Sequence, residues 1–176
     1  MADSGEARAY PRRLHHTVPV WVDAGVYFHI RIRVAQADRQ SLVLPELGRM
    51  LLSAVQNYHE RGRWQALLFL LMPDHTHALL AFPADRSMSR IVGEWKHYVE
   101  RETDVEWQGN FFDHRIRNQS ELLEKYVYIL RNPVVKGLCN READWPWVWA
   151  PFAGEENPRG ARVPPQDGGA RAPHEL

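Results

Sequence analysis

The chain has 176 residues, 44% of them hydrophobic and 25% charged, with 22 basic side chains against 22 acidic ones. That length suits one domain with a real core. No apolar run nears the roughly 18 residues needed to cross a bilayer, and a formal charge of zero argues against coating nucleic acid by bulk electrostatics. The first ten residues are polar and lack a hydrophobic signal core, so export is not expected. The single cysteine, Cys139, rules out an internal disulfide and suits a reducing cytoplasm.

Residues 1–25 read as a basic N-terminal arm, with Arg8, Arg12, Arg13, His15 and His16 close together. Residues 26–35 then alternate: His29, Arg31 and Arg33 fall between Phe28, Ile30, Ile32 and Val34. In a strand this puts three basic side chains on one face and the core residues on the other. A solvated outer face is one account of that pattern and a phosphate-binding face is the other. The second gains weight only if further functional groups share the face.

Pro45 to Arg61 carries Leu47, Met50, Leu51, Ala54, Val55 and Tyr58 at helical spacing, with the proline near the first turn. Ala66 to Leu71 is an apolar run of central-strand length. Pro73-Asp74 breaks it and His75 to Phe82 resumes, so the two read as a hairpin. Ser87 is placed to cap a helix through about Arg101 that turns Met88, Ile91, Val92, Trp95, Tyr98 and Val99 inward. Lys96 and His97 lie beside Trp95 on that helix. Asn110 to Arg117 reads as a short strand. Asn118, with Glu121 three residues on, has the spacing of a helix cap and its reciprocal carboxylate. The helix that follows is expected to reach about Arg131, where Asn132-Pro133 should end it.

The order β-α-β-β-α-β-α implies a single α+β domain over residues 26–153. Its core is ferredoxin-like (RRM-like), an antiparallel sheet with the helices packed on one face. Residues 154–176, rich in Gly, Pro, Arg and Glu, read as a disordered tail.

Two patterns carry chemistry. His75 and His77, one residue apart in an apolar run, point to the same face of a strand, which is half of a divalent-metal site. A polar patch at a strand end is the plainer reading. In the last helix Leu122, Tyr126 and Ile129 follow the apolar stripe, whereas Tyr128 falls on the other side with Asn132 one turn further. Phenol and amide can therefore address the same point in space.

Taken in order, Met72-Pro73-Asp74-His75-Thr76-His77, Phe111-Phe112-Asp113-His114-Arg115, Tyr128-Ile129-x-x-Asn132-Pro133-Val134, Gly137-Leu138 and Asp144-Trp145-Pro146 resemble the IS200-like, REP-associated tyrosine transposases. These belong to the HUH single-strand endonuclease group. The resemblance spans roughly residues 10–150. It implies that His75 and His77 bind a divalent metal, Mg²⁺ or Mn²⁺, with Asn132 as third ligand, and that Tyr128 is the nucleophile. It also implies cleavage of single-stranded DNA beside a hairpin like a repetitive extragenic palindrome, through a 5′-phosphotyrosine link, followed by rejoining. A bacterial, nucleoid-associated cytoplasmic protein, monomeric or homodimeric, goes with it.

Arg12, Arg13, His29, Arg31, Arg33, Lys96 and Arg131 are the candidate DNA contacts. For Lys96 a solvated helix face, and for Arg131 a cation at a helix end, are the simpler accounts. His114 is expected to be structural, and Trp145, Trp147 and Trp149 to seal the last helix. Two departures from the family pattern stand out: Thr76 replaces a bulky apolar residue, and Asp74 replaces a frequent Asn and could make a contact behind the metal ligands. A hairpin-binding module without routine catalysis, or a hydrolase using bound hydroxide with His114 or Asp113 as an added ligand, are the rival readings.

Overall fold

Alternation along the first strand decides how the sheet is layered in the computed structural model, which describes residues 26–151. Strand β1 (Tyr27–Arg33) is followed by α1 (Pro45–Glu60), β2 (Gln65–Leu71), β3 (His75–Ala81), α2 (Met88–Glu102), β4 (Phe112–Arg115) and α3 (Gln119–Val135). A short 3₁₀ turn (Glu142–Asp144) and the two-residue strand β5 (Val148–Trp149) complete the order. The sheet runs β4-β1-β3-β2-β5, and every neighbouring pair is antiparallel. The first four strands have the ferredoxin-like arrangement expected from the sequence, and β5 is an addition. No helix of the described residues is long and apolar enough to cross a membrane. The N-terminal arm and the tail from residue 154, with Arg12 and Arg13, lie outside the described residues.

One face of the sheet is buried as the periodicity implies. Ile30, Ile32, Phe69, Leu71, Ala78 and Leu80 pack against Leu51 and Val55 of α1 and Ile91, Val92, Trp95 and Val99 of α2. The expectation that all helices share this face does not hold for the third. Ile129 and Leu130 of α3 pack with Leu68, Leu70 and Leu79, which point the other way, and Ile116, Trp145 and Val148 close the cluster. The run Leu68-Phe69-Leu70-Leu71 is apolar at every position because both faces are covered. The tryptophan-rich end seals the third helix only in part. Trp145 joins its cluster and donates from the indole to the Leu71 carbonyl at 2.9 Å. Trp149, on β5 beside β2, packs instead into the first core, and Trp147 lies against Gly48 of α1.

Helix α3 also ends later than its proline suggests. Asn118 caps it, its Oδ1 accepting from Glu121 N at 2.9 Å. The reciprocal bond falls one residue early, with Arg117 N donating to Glu121 at 2.8 Å. At the far end Pro133 sits inside the last turn, where it removes a single helical donor. Closure comes from Gly137, at φ 70°. Its N–H donates to Val134 O at 2.9 Å, and Leu138 N donates to Pro133 O at 2.8 Å. This pair of bonds around a left-handed residue is a Schellman end, which glycine forms without strain. The continued helix keeps Asn132 in helical geometry one turn beyond Tyr128.

Candidate active site

The register fixes which side chains share the second face. Arg31 lies opposite His77, and Arg33 opposite His75. Residues directly across an antiparallel pair point to the same side, so the basic residues of β1 and the two histidines of β3 do occupy one face. The part of it next to α3 forms the site.

Each imidazole is held from behind. His75 Nδ1 donates to Asp74 Oδ1 at 2.6 Å, and Arg33 donates to the other carboxylate oxygen at 2.9 Å. His77 Nδ1 lies 3.0 Å from Nε2 of His29. Both Nε2 atoms therefore face outward from these contacts, and they converge to 3.1 Å from each other. Two nitrogens bound at about 2.1 Å and at right angles to one ion would lie about 3 Å apart. The donor set fits a divalent cation at this point.

Burial sets the charge state. It drives the His77 imidazolium pKa down to about 2, with the charges of His75, His29 and Arg31 adding to the effect. It drives His29 down to about 4, helped by Lys125 and Arg31. His75 is lowered by burial too, although Asp74 opposes this. For Asp74 burial pushes upward, but the bonds from Arg33 and His75 outweigh it and hold the carboxyl below its ordinary range. At neutral pH the site thus offers neutral imidazoles backed by one carboxylate, the state a metal requires of histidine.

Helix α3 brings the nucleophile candidate over this pair. Tyr128 is 51% exposed. Its ring lies edge-on, 6.1 Å from the His77 ring and 6.4 Å from that of His29. Lys125 places its ammonium 5.4 Å from the same ring. Tyr126, two residues earlier, packs against the second core. Asn132 is buried, and its Nδ2 donates to Tyr128 O at 2.8 Å. That bond orients the amide and leaves Oδ1 as its acceptor. Among the described residues no group of three or more His, Cys, Asp or Glu side chains could hold a metal.

The remaining candidates divide by position. Arg31 and Arg33 are exposed beside the histidines; Arg33 bridges to Asp74, and the Arg31 guanidinium lies 5.4 Å from the Phe112 ring. Arg131 is exposed on α3, in an open groove with Tyr128 and Lys136, and faces Glu142 at 3.7 Å. His29 is only 5% exposed. Alternation identifies its face but not its depth: His77, Phe112 and Tyr128 enclose it, so it is no surface phosphate contact. Lys96 is corrected as well. It lies on α2, across the sheet from the histidines, and its ammonium is buried, donating to the carbonyls of Gln108 and Gly109 at 2.6 and 3.2 Å. His114 is structural, its Nε2 donating to Glu121 at 2.6 Å. The His29–His77 contact escaped the sequence reading. The signal lies in the register, which sets His29 opposite Leu79, two residues from His77 on the neighbouring strand.

A family profile described as "Transposase IS200 like" matches residues 25–128, ending on the exposed tyrosine. The chain belongs to the IS200-like transposase family. A protein of Escherichia coli (strain K12) named "REP-associated tyrosine transposase" is 26% identical over 124 residues, covering 69% of this chain and 73% of that protein. A Haemophilus influenzae protein provisionally given the same name is 25% identical over 140 residues, covering 70% and 78%. A solved structure described as a REP-associated tyrosine transposase bound to a REP hairpin superposes with a TM-score of 0.62 at 23% identity, over 80% of this chain and 81% of that one. This IS200-like transposase thus shares the antiparallel α+β fold of that structure.

Proposed function

We propose that the chain is a metal-dependent single-strand DNA transposase that cleaves beside hairpin DNA and rejoins strands, with Tyr128 as the nucleophile. The observation that carries this reading is the exposed phenol on α3 standing over His77, whose Nε2 converges with that of His75 to 3.1 Å. A bound Mg²⁺ or Mn²⁺, held by His75, His77 and the Oδ1 of Asn132, would polarise the non-bridging oxygens of the scissile phosphate. The REP hairpin bound by the solved relative supports a hairpin as the substrate class. Bacterial cytoplasm, at the nucleoid, is where such a substrate lies.

In the first step the Tyr128 oxygen bonds to phosphorus while the bond to the 3′ oxygen breaks. The proton lost by the phenol is balanced by the one the 3′ oxygen gains, leaving a 5′-phosphotyrosine and a free 3′-OH. The covalent link conserves the phosphodiester for rejoining, which attack by water would forfeit. Arg31 and Arg33, on the same sheet face, and Arg131, next to Tyr128 in the groove, are the proposed phosphate contacts. Asn132 positions its own oxygen and the helix turn that carries the phenol.

The test is a labelled hairpin oligonucleotide with a single-stranded flank, incubated with Mn²⁺ and resolved on a denaturing protein gel. Wild type and Tyr126→Phe should give a covalent band; Tyr128→Phe and His75→Ala should give none. Cleavage that survives in Tyr128→Phe overturns the tyrosine mechanism. Hairpin binding without an adduct in wild type, across a panel of flanks, makes the chain a binding module instead.

A further inference from the structure

His29 has no part in the reaction described above, yet it is the most fully enclosed titratable group next to it. Its Nε2 lies 3.0 Å from His77 Nδ1 and the two rings stack at 5.2 Å with 23° between their planes. Tyr128 and Phe112 present their edges to it from α3 and β4 at 6.4 and 5.9 Å. We propose that His29 is a positioning residue for His77, binding the Nδ1 side of that ring so that the Nε2 lone pair is aimed at the metal point shared with His75. This rests on the proposed function and adds the group that supports its second ligand.

The two histidines are supported by different chemistry. Asp74 is an ionised carboxylate and can only accept, so His75 carries its proton on Nδ1 and its Nε2 is always bare. His29 is a neutral imidazole, which can accept or donate at Nε2 according to its tautomer. With a cation at the shared point, His77 must bare its Nε2 and donate from Nδ1 to His29. Without one, two bare Nε2 atoms 3.1 Å apart would repel. His77 can then donate from Nε2 to His75 and accept at Nδ1 from His29. Each ring keeps one proton in either arrangement, so the exchange of tautomers releases none. A carboxylate at position 29 would forbid the second arrangement, and an apolar side chain would support neither.

Three variants and two readouts test this. Ligand-supporting groups of this kind are worth about 10–100-fold in metal affinity. His29→Phe should therefore weaken Mn²⁺ binding, measured by electron paramagnetic resonance titration, by that factor. His29→Gln, whose amide both accepts and donates, should stay near wild type. His29→Ala, if folded, should resemble His29→Phe. In wild type, ¹⁵N nuclear magnetic resonance should show scalar coupling between His29 Nε2 and His77 Nδ1 across the N–H···N bond. Wild-type affinity in His29→Phe overturns the proposal, as does loss in His29→Gln equal to that in His29→Phe, or absence of the coupling. A wild type that binds no Mn²⁺ sinks the metal pair, and with it the proposed function. That failure is distinct from one confined to His29, in which wild type binds Mn²⁺ and the variants do not differ from it.

Discussion

His29 and His77 are two imidazoles kept neutral in the interior of a sheet face, and that makes the metal-free protein sensitive to acid. Their folded-state pKa values lie at about 4 and about 2, because burial penalises the charged ring. The ordinary value is about 6.5. Above that value both folded and unfolded chains are neutral at these positions and the full stability is present. Below it the unfolded chain takes up protons that the folded chain refuses, so stability falls as pH drops from 6.5 through 4 and further. Each histidine contributes about 1 kcal/mol per pH unit over its window. Urea unfolding in EDTA should give a constant midpoint between pH 8 and 7 and a clear decline between pH 6.5 and 5. His29→Gln should make that decline shallower. A midpoint flat down to pH 5 would show that the pair is not buried as neutral rings. At this scale the sequence was only partly legible. The spacing His-x-His gives a shared face, and position on α3 separates exposed Tyr128 from packed Tyr126. Depth is not written in an alternation, so His29 read like Arg31 and Arg33, although a short ring stacked on His77 is enclosed where a longer guanidinium reaches solvent.

Elements were legible where the period was long and failed where an ending or a layer was set by contacts distant in sequence. The three helices and strands β1 to β3 follow from apolar spacing and runs, whereas β4 has no apolar alternation and is held by its pairing with β1. Strand β5 is two residues long and exists because β2 offers its edge, which no local pattern announces. The stripe on α3 identifies an apolar face without saying which side of the sheet receives it; the second apolar face of β2, at Leu68 and Leu70, is what draws the helix there. Pro133 suggested a stop, but a proline in the last turn costs only one bond, and Gly137 supplies the true end. Its φ of 70° is a conformation that costs an L-residue about 1–2 kcal/mol, with no neighbour within 4 Å of the position a Cβ would take. Gly137→Ala should therefore lower unfolding stability by about that amount through backbone strain alone, while Lys136→Ala next to it should change it little. Circular dichroism melts of the two variants check this. Equal stability of Gly137→Ala and wild type would mean that the helix ends elsewhere in solution.

Among the described residues the placing of charge matters more than its sum, and the exposed arginines of α1 and α2 are paired with glutamates, as in Arg49–Glu46, Arg90–Glu94 and Arg101–Glu102. Formal neutrality argues against a broad electrostatic coat, yet β1 directs Arg31 and Arg33 to the face that carries the histidines, and α3 adds Arg131 and Lys125 beside Tyr128. Lys96 is on the other side of the sheet, spent on two carbonyls of the loop before β4. If hairpin DNA binds on the histidine face, each cation that meets a phosphate releases a condensed counterion. Losing it should reduce the slope of log affinity against log salt by about 0.7–0.9. Arg31→Gln should do this and weaken binding to every hairpin sequence by a similar factor. Lys96→Met removes an equal charge and should leave the slope unchanged. Its own cost is a modest loss of stability, because the two bonds to the Gln108 and Gly109 carbonyls disappear, each worth about 1 kcal/mol. Fluorescence anisotropy with one labelled hairpin, titrated at several salt concentrations, reads both variants on the same scale. A slope that falls in Lys96→Met and not in Arg31→Gln would move the DNA to the helix layer and detach it from Tyr128. A slope reduced only in Arg31→Gln ties affinity to the same sheet face as the proposed chemistry.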